Sequence, residues 1–158
     1  MGGLFSLGAQ TGSASGTASN LGCYRVGFGM PVSTHFDVNV GYTLIMSEII
    51  GGDLAFGLDL GTNYFPLTQT GAYELSTGTT MVAHEELWRP YVGLWFHQRQ
   101  FQSVRTNYSG FGLATGFERA LRFPFDYKIE LRYTSLVGAS GATATEINFV
   151  GGLTLRFK

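Results

Sequence analysis

The sequence predicts an all-β protein: an eight-stranded, antiparallel, up-and-down transmembrane β-barrel with a polar lumen. Three observations carry that expectation. Apolar and polar residues alternate with a period of two along most of the chain, as they do in strands with two unlike faces. The alternating segments run to roughly 9–13 residues, against about 5–6 for a mean globular strand and about 9–11 for a tilted strand crossing a bilayer. Charged residues are 13% of the 158, about half the ~25% of an average soluble domain.

The segments follow in order. The first, about 4–12, sets Phe5, Leu7 and Ala9 against Ser6, Gly8 and Gln10. The second, about 22–31, sets Tyr24, Val26, Phe28 and Met30 against Cys23, Arg25, Gly27 and Gly29. The third, about 35–47, alternates Phe36, Val38, Val40 and Tyr42 with Asp37, Asn39, Gly41 and Thr43. The fourth, about 53–65, alternates Leu54, Phe56, Leu58 and Leu60 with Ala55, Gly57, Asp59 and Gly61. The fifth, about 87–102, has the least clean parity, because Trp88 and Phe96 lie on one face and Tyr91 and Trp95 on the other. Pro90 cannot donate to a ladder, so regular pairing is expected to start after it or to tolerate a bulge there. The sixth, about 109–121, alternates Phe111, Leu113, Thr115 and Phe117 with Gly110, Gly112, Ala114, Gly116 and Glu118. The seventh, about 127–137, opens on "YKIELRY", and the eighth, about 146–158, carries Ile147, Phe149, Leu153, Leu155 and Phe157 on one face.

Turn-forming stretches separate the segments: "GSASGTASNLG", "PVST", "SEIIGG", "QSVRTNYS", "RFPFD" and "GASGATAT". The exception is the long connection 66–86, in which residues 72–83 fit a small hairpin around Thr77-Gly78 with arms too short to span a bilayer. The whole of 1–158 therefore reads as a single barrel domain with one inter-strand excursion at 66–86.

Composition decides which face is inside. The polar parity is rich in Gly and Ala and carries scattered charges of both signs, whereas a wet outer face would normally carry abundant Lys and Glu. Gly weakens a strand and adds no solubility. In a narrow eight-stranded barrel there is room for long side chains only beside small ones. Opposite charges there can neutralise one another, which matters because an unpaired buried charge is very costly. The charge network expected in the lumen is Arg25, Asp37, Asp59, Glu118, Lys128, Glu130, Arg132 and Arg156. Aromatics gather near strand ends, at Tyr24, Phe36, Tyr64, Phe65, Trp88, Phe123, Phe125, Tyr127 and Phe157, as in the girdles of a lipid-facing wall. Gaps in the apolar parity at Ala9, Thr115 and Gly151 mark candidate contacts for a second barrel or for ordered lipid.

On these features the chain resembles the small eight-stranded outer-membrane barrels of Gram-negative bacteria, the OmpA/OmpX type, over nearly its whole length. The terminal strand "INFVGGLTLRFK" is similar to the C-terminal strand read by the outer-membrane assembly machinery, although here Lys158 follows the last aromatic. The resemblance implies an integral outer-membrane location after removal of a signal peptide. It also implies membrane lipid and the assembly machinery as partners.

Other chemistries find little support. The formal net charge of −1 does not mark a nucleic-acid binder. The lone Cys23 excludes an intrachain disulfide framework. His35, His84 and His97 lack metal-ligand spacing, so no metal and no cofactor is expected. "GFG" at 27–29 and "GFGLATG" at 110–116 sit within strands rather than before a helix, unlike phosphate-binding loops. The expected role is non-enzymatic: a structural or envelope-organising barrel, with homo-oligomer formation a further expectation. A small pore is the first alternative. A lipid-modifying enzyme is the second, for which His97 and Ser103 lie toward the same strand end without a recognised motif.

Overall fold

A computed structural model describes residues 3–14, 21–47, 54–67, 70–75, 78–83, 88–101, 106–121, 125–139, 141 and 143–157. Side chains are described for 24–44, 55–67, 88–101, 107–119, 121, 125–139, 141 and 143–155. The strands are β1 (Gly3–Ala14), β2 (Leu21–Pro31), β3 (Phe36–Ser47), β4 (Leu54–Tyr64), β5 (Thr70–Leu75), β6 (Gly78–Ala83), β7 (Trp88–Phe101), β8 (Thr106–Ala120), β9 (Phe125–Gly138) and β10 (Thr143–Phe157). Eight of them close a barrel in the order β1-β10-β9-β8-β7-β4-β3-β2. Every neighbouring pair is antiparallel, including the closing pair β1–β10.

The barrel strands match the eight alternating segments, with ends differing by a few residues. β5 and β6 form a separate two-stranded sheet. Its last pair is Leu75 with Gly78, so Gly78 belongs to the second arm, and residues 76–77, on which the predicted turn partly falls, lie outside the described residues. The hairpin leaves the barrel ladder intact, because β4 pairs directly with β7. β4 ends and β7 begins at the barrel end that carries the start of β1 and the end of β10.

Pro90 meets the sequence expectation on one side of β7 and departs from it on the other. The β7–β8 register runs without a bulge from Trp88 opposite Arg119, through Pro90 opposite Phe117, to Phe101 opposite Thr106. The β7–β4 register begins only at Val92, opposite Tyr64. Pro90 thus sits where β7 has a partner on one side alone, the position at which a missing N–H is tolerated.

The two faces of the wall differ as the parity requires. Buried residues on β9 alternate with exposed ones: Glu130, Arg132 and Thr134 are inside, while Leu131, Tyr133 and Val137 are outside. Phe28, Val40, Leu58, Leu60, Leu94, Phe111, Leu113, Ile147 and Phe149 are all exposed large apolar side chains on the outer wall. So wide an apolar exterior is stable against lipid rather than water. The fold is accordingly that of a membrane-spanning barrel.

Phe65 is the exception among the predicted girdle residues. It is buried at 1% exposure, its ring tilts against Tyr91 at 5.4 Å, and the Arg89 guanidinium lies over it at 4.2 Å. The chain leaves β4 there and turns, and the backbone N–H of Phe65 donates to the His35 carbonyl at 2.8 Å. The ring therefore closes the termini end of the lumen instead of facing lipid. Phe123 lies outside the described residues, as does the side chain of Phe157.

Candidate functional site

The lumen is organised around two buried carboxylates. Asp59 on β4 is the first. Its Oδ1 accepts from Arg99 Nη1 at 2.6 Å and from His97 Nδ1 at 2.6 Å, and its Oδ2 accepts from Thr43 Oγ1 at 2.5 Å. Arg25 Nε stands 3.3 Å from Oδ2. His97 Nδ1 also stands 3.2 Å from Arg99 Nη2, and a hydrogen bond to an ionised Asp59 requires the proton on Nδ1. Asp59 and His97 are also direct cross-strand partners in the β4–β7 ladder, so the backbone register brings them together.

Glu130 on β9 is the second. Tyr91 OH donates to its Oε2 at 2.7 Å, Lys128 Nζ lies 3.3 Å from the same oxygen, and Arg132 Nη2 donates to Oε1. Arg25 links the two centres, since its Nη1 is 3.8 Å from Glu130 Oε1. Arg99 extends the lattice to β10 through Glu146, 3.6 Å from Nε, and Asn148 Nδ2 donates to Glu146 at 3.3 Å. Trp95 lies in the middle. The guanidinium carbons of Arg25 and Arg132 lie 4.2 and 4.1 Å from its ring centroid, and Lys128 Nζ lies 4.6 Å from the Tyr91 ring. Cation–π contact of this kind is worth most where water is excluded.

Glycine makes this crowding possible. A Cβ on Gly41 would stand 2.8 Å from Arg25 Nε, one on Gly57 2.8 Å from Arg99 Nη1, one on Gly112 2.9 Å from His97 Nε2, and one on Gly116 2.9 Å from the Tyr91 hydroxyl. Each large lumen side chain lies across a bare stretch of strand. β8 is the barest, with Gly110, Gly112, Ala114 and Gly116 opposite His97, Trp95, Gly93 and Tyr91 of β7.

Six strands, β2, β3, β4, β7, β9 and β10, meet in this lattice. Of the predicted network, Arg25, Asp59, Lys128, Glu130 and Arg132 converge on it. Glu118 is buried on β8 with Arg89 Nη1 3.8 Å away, and Asp37 is buried near the termini-side start of β3. Arg156 is placed on β10 opposite Leu4, and its side chain lies outside those described. The parity puts Arg99, Tyr91 and Trp95 on the inward face, but the predicted network does not include them, and Glu146 is missed. The signal was present on strand β7, where Tyr91, Trp95, His97 and Arg99 share the parity of the small residues facing inward.

The His97–Asp59 pair has the geometry of a base and its orienting acid. Both side chains are fully buried within the lattice. Ser103 lies outside the described residues. Among the described residues no group of three His, Cys, Asp or Glu side chains is placed to hold a metal ion.

On the outer wall, Ala9 and Gly151 are register partners across the closing seam. Gly151 opens onto free space, while the side chain of Ala9 is outside those described. Thr115 belongs elsewhere. It helps to line a separate cavity of about 570 Å³ on the wall, with Thr62, Tyr64, Val92, Leu113 and Tyr133 among its neighbours.

No family model matches the chain. The search of curated proteins gave no match. Solved structures do match. Neisserial surface protein A superposes at a TM-score of 0.70 with 12% identity, covering 99% of this chain and 96% of that one. The fold is that of a small outer-membrane barrel. The outer-membrane protein OprG from Pseudomonas aeruginosa gives 0.59 with 13% identity, over 99% of this chain and 95% of that one. A de novo designed transmembrane β-barrel gives 0.55 with 13% identity, over 98% and 95%. The small barrel fold is thus shared by a neisserial surface protein, an outer-membrane protein and a designed transmembrane barrel. The fold by itself does not name an activity.

Proposed function

We propose that the chain is an integral barrel of a bacterial outer membrane with a non-enzymatic, structural or envelope-organising role. The observation that carries this is the filled lumen. Trp95, Arg99, Arg132, His97 and Glu130 are all buried side chains in its mid-section, tied together by the contacts of Asp59 and Glu130. A barrel packed in this way offers partners its wall and its ends. Membrane lipid, the assembly machinery during biogenesis and a second copy of the chain are the partners of this reading.

Planar-bilayer recording of the purified protein tests it. A silent membrane is expected. Reproducible conductance steps from monomer would favour a small pore in its place. Mass spectrometry of lipid A from expressing cells addresses the lipid-modifying alternative, and an unchanged mass is expected.

A further inference from the structure

The outer-wall cavity has a shape and a position that suit one ligand. Its lining follows two neighbouring cross-strand rows: Phe36–Tyr64–Val92–Thr115–Leu131 and, two residues further along the strands, Thr62–Leu94–Leu113–Tyr133. Four strand spacings of about 4.8 Å give an arc of ~19 Å around half of the eight-stranded wall. The first row begins at the first residue of β3, beside the end that carries both chain termini, and reaches the seventh residue of the 14-residue β9. With strands tilted about 45°, a row perpendicular to them climbs ~13 Å along the membrane normal, close to half of a ~30 Å hydrocarbon core. The groove is therefore the height of one leaflet.

Its floor is apolar in effect as well as in name. Thr115 Oγ1 donates to the Tyr91 carbonyl at 3.4 Å, so the hydroxyl has a backbone partner within the wall. Thr62 and Thr115 are small beside Leu94, Leu113, Leu131 and Tyr133, and the backbone of Gly93 and Ala114 forms part of the lining. Among the described residues no charged side chain lines it. Its termini-side rim is different. Phe36 and Tyr64 meet at 4.9 Å, the His35 ring stacks on Tyr64 at 6.3 Å, and Thr34 Oγ1 and His35 Nδ1 are hydrogen-bonded at 2.9 Å. An apolar trough of leaflet height thus ends at an aromatic and polar rim, where headgroups lie.

We propose that this groove seats one acyl chain of a phospholipid from the leaflet on the side of the chain termini, with the phosphate-bearing end at Thr34 and His35. The occupant follows from the surroundings. The flanking wall, at Val38, Leu58, Leu60 and Phe111, is exposed and apolar, so hydrocarbon is the medium at the mouth. A convex second barrel would bridge such a trough, whereas a flexible chain fills it. Lipid from the opposite leaflet would have to pass the bilayer midplane to reach the row. The proposal rests on the membrane-spanning reading given above.

The test uses the full chain reconstituted in vesicles of phosphatidylethanolamine doped with a phosphatidylethanolamine carrying a diazirine on one acyl chain. Flotation with the vesicles and a heat-modifiable gel shift first establish insertion and folding. Failure at that stage refutes the membrane reading itself. In inserted protein, photolabelling is expected to concentrate at 113–115 and 131–133 and to be competed by unlabelled phospholipid. Thr115→Phe, which fills the floor, is expected to lose that labelling. Thr62→Phe gives an independent filling variant should the first fail to fold. Thr115→Val, which keeps the shape and drops only the hydroxyl, is expected to retain it. Even labelling around the wall would reduce the groove to ordinary annular lipid and overturn the proposal. So would preferential capture of an acyl-labelled lipid A, or occupation of the groove by a cross-linked second copy.

Discussion

The indole of Trp95 fills the space that a side chain on Gly61 would need. The two residues are cross-strand partners on β4 and β7, and a Cβ on Gly61 would stand 2.2 Å from Cδ2 of Trp95. No real contact is that short, so any substitution forces either the ring or the strand to move. Overpacking a core in this way typically costs about 1–3 kcal/mol. Gly61→Val is expected to lower the stability of the folded barrel by at least that much. Urea unfolding in lipid vesicles, followed by the gel shift of the folded form, measures it. An unchanged midpoint would mean that Trp95 is not held against β4.

Asp59 faces Arg25, Arg99 and His97 together, and its removal leaves cations without their shared anion. Breaking a buried pair by deleting one partner costs about 3–5 kcal/mol. Asp59→Ala is expected to fall in that range, and the Asp59→Ala/Arg99→Met double variant to recover part of the loss. A double-mutant cycle reads the coupling directly, with about 0.5–3 kcal/mol expected for contacting residues. Simple additivity of the two changes would show that Asp59 and Arg99 do not interact.

The β5–β6 hairpin stands outside the barrel ladder, because β4 pairs directly with β7 over ten residue pairs from Ala55–Phe101 to Tyr64–Val92. Replacing 70–83 with a short Gly-Ser linker is expected to leave the unfolding midpoint of the barrel close to that of the parent chain. Loop length contributes only slowly to closure entropy. Phe65 is retained in this variant because it closes the lumen. A large drop in the midpoint would show that the hairpin packs on the barrel.

Self-association is expected to use the wall, and the Ala9–Gly151 seam is the candidate contact separate from the groove. Cross-linking in native membranes is expected to yield a dimer that Gly151→Leu abolishes while the gel shift of the folded barrel persists. A monomer under all cross-linking conditions would remove this contact.

Much of the fold was legible because a period of two is a direct consequence of strand geometry. Segment length separated a membrane strand from a globular one. Gly and Ala on the charged parity marked that face as the inside, and the buried Arg25, Asp59, Glu130 and Arg132 agree with it. Parity assigns a face, however, and not a neighbour. That Asp59 meets His97 depends on β4 pairing with β7 across a 23-residue interval, 65–87, and nothing local encodes that register. Trp95 and Tyr91 stand outside the predicted network for a related reason. Aromatics suit a lipid-facing wall equally well, so on β7 they blurred the parity that their small cross-strand partners on β8 resolve. Phe65 follows the last residue of β4, where alternation no longer says which way a side chain turns.

The two tryptophans provide the most direct test of the inside–outside assignment. Trp88 is exposed on the wall at 48%, and Trp95 is buried in the lumen at 2%. Replacing either one with Phe leaves the other as the sole reporter. In vesicles, the fluorescence of Trp88 is expected to be quenched strongly by lipids brominated along their acyl chains. That of Trp95 is expected to resist both brominated lipid and aqueous iodide, because it is shielded by the wall on one side and the ion-pair lattice on the other. Strong quenching of Trp95 by iodide would reveal a water-filled lumen. Quenching of Trp95 by brominated lipid as strong as that of Trp88 would place the charged face, and not the apolar one, against the membrane.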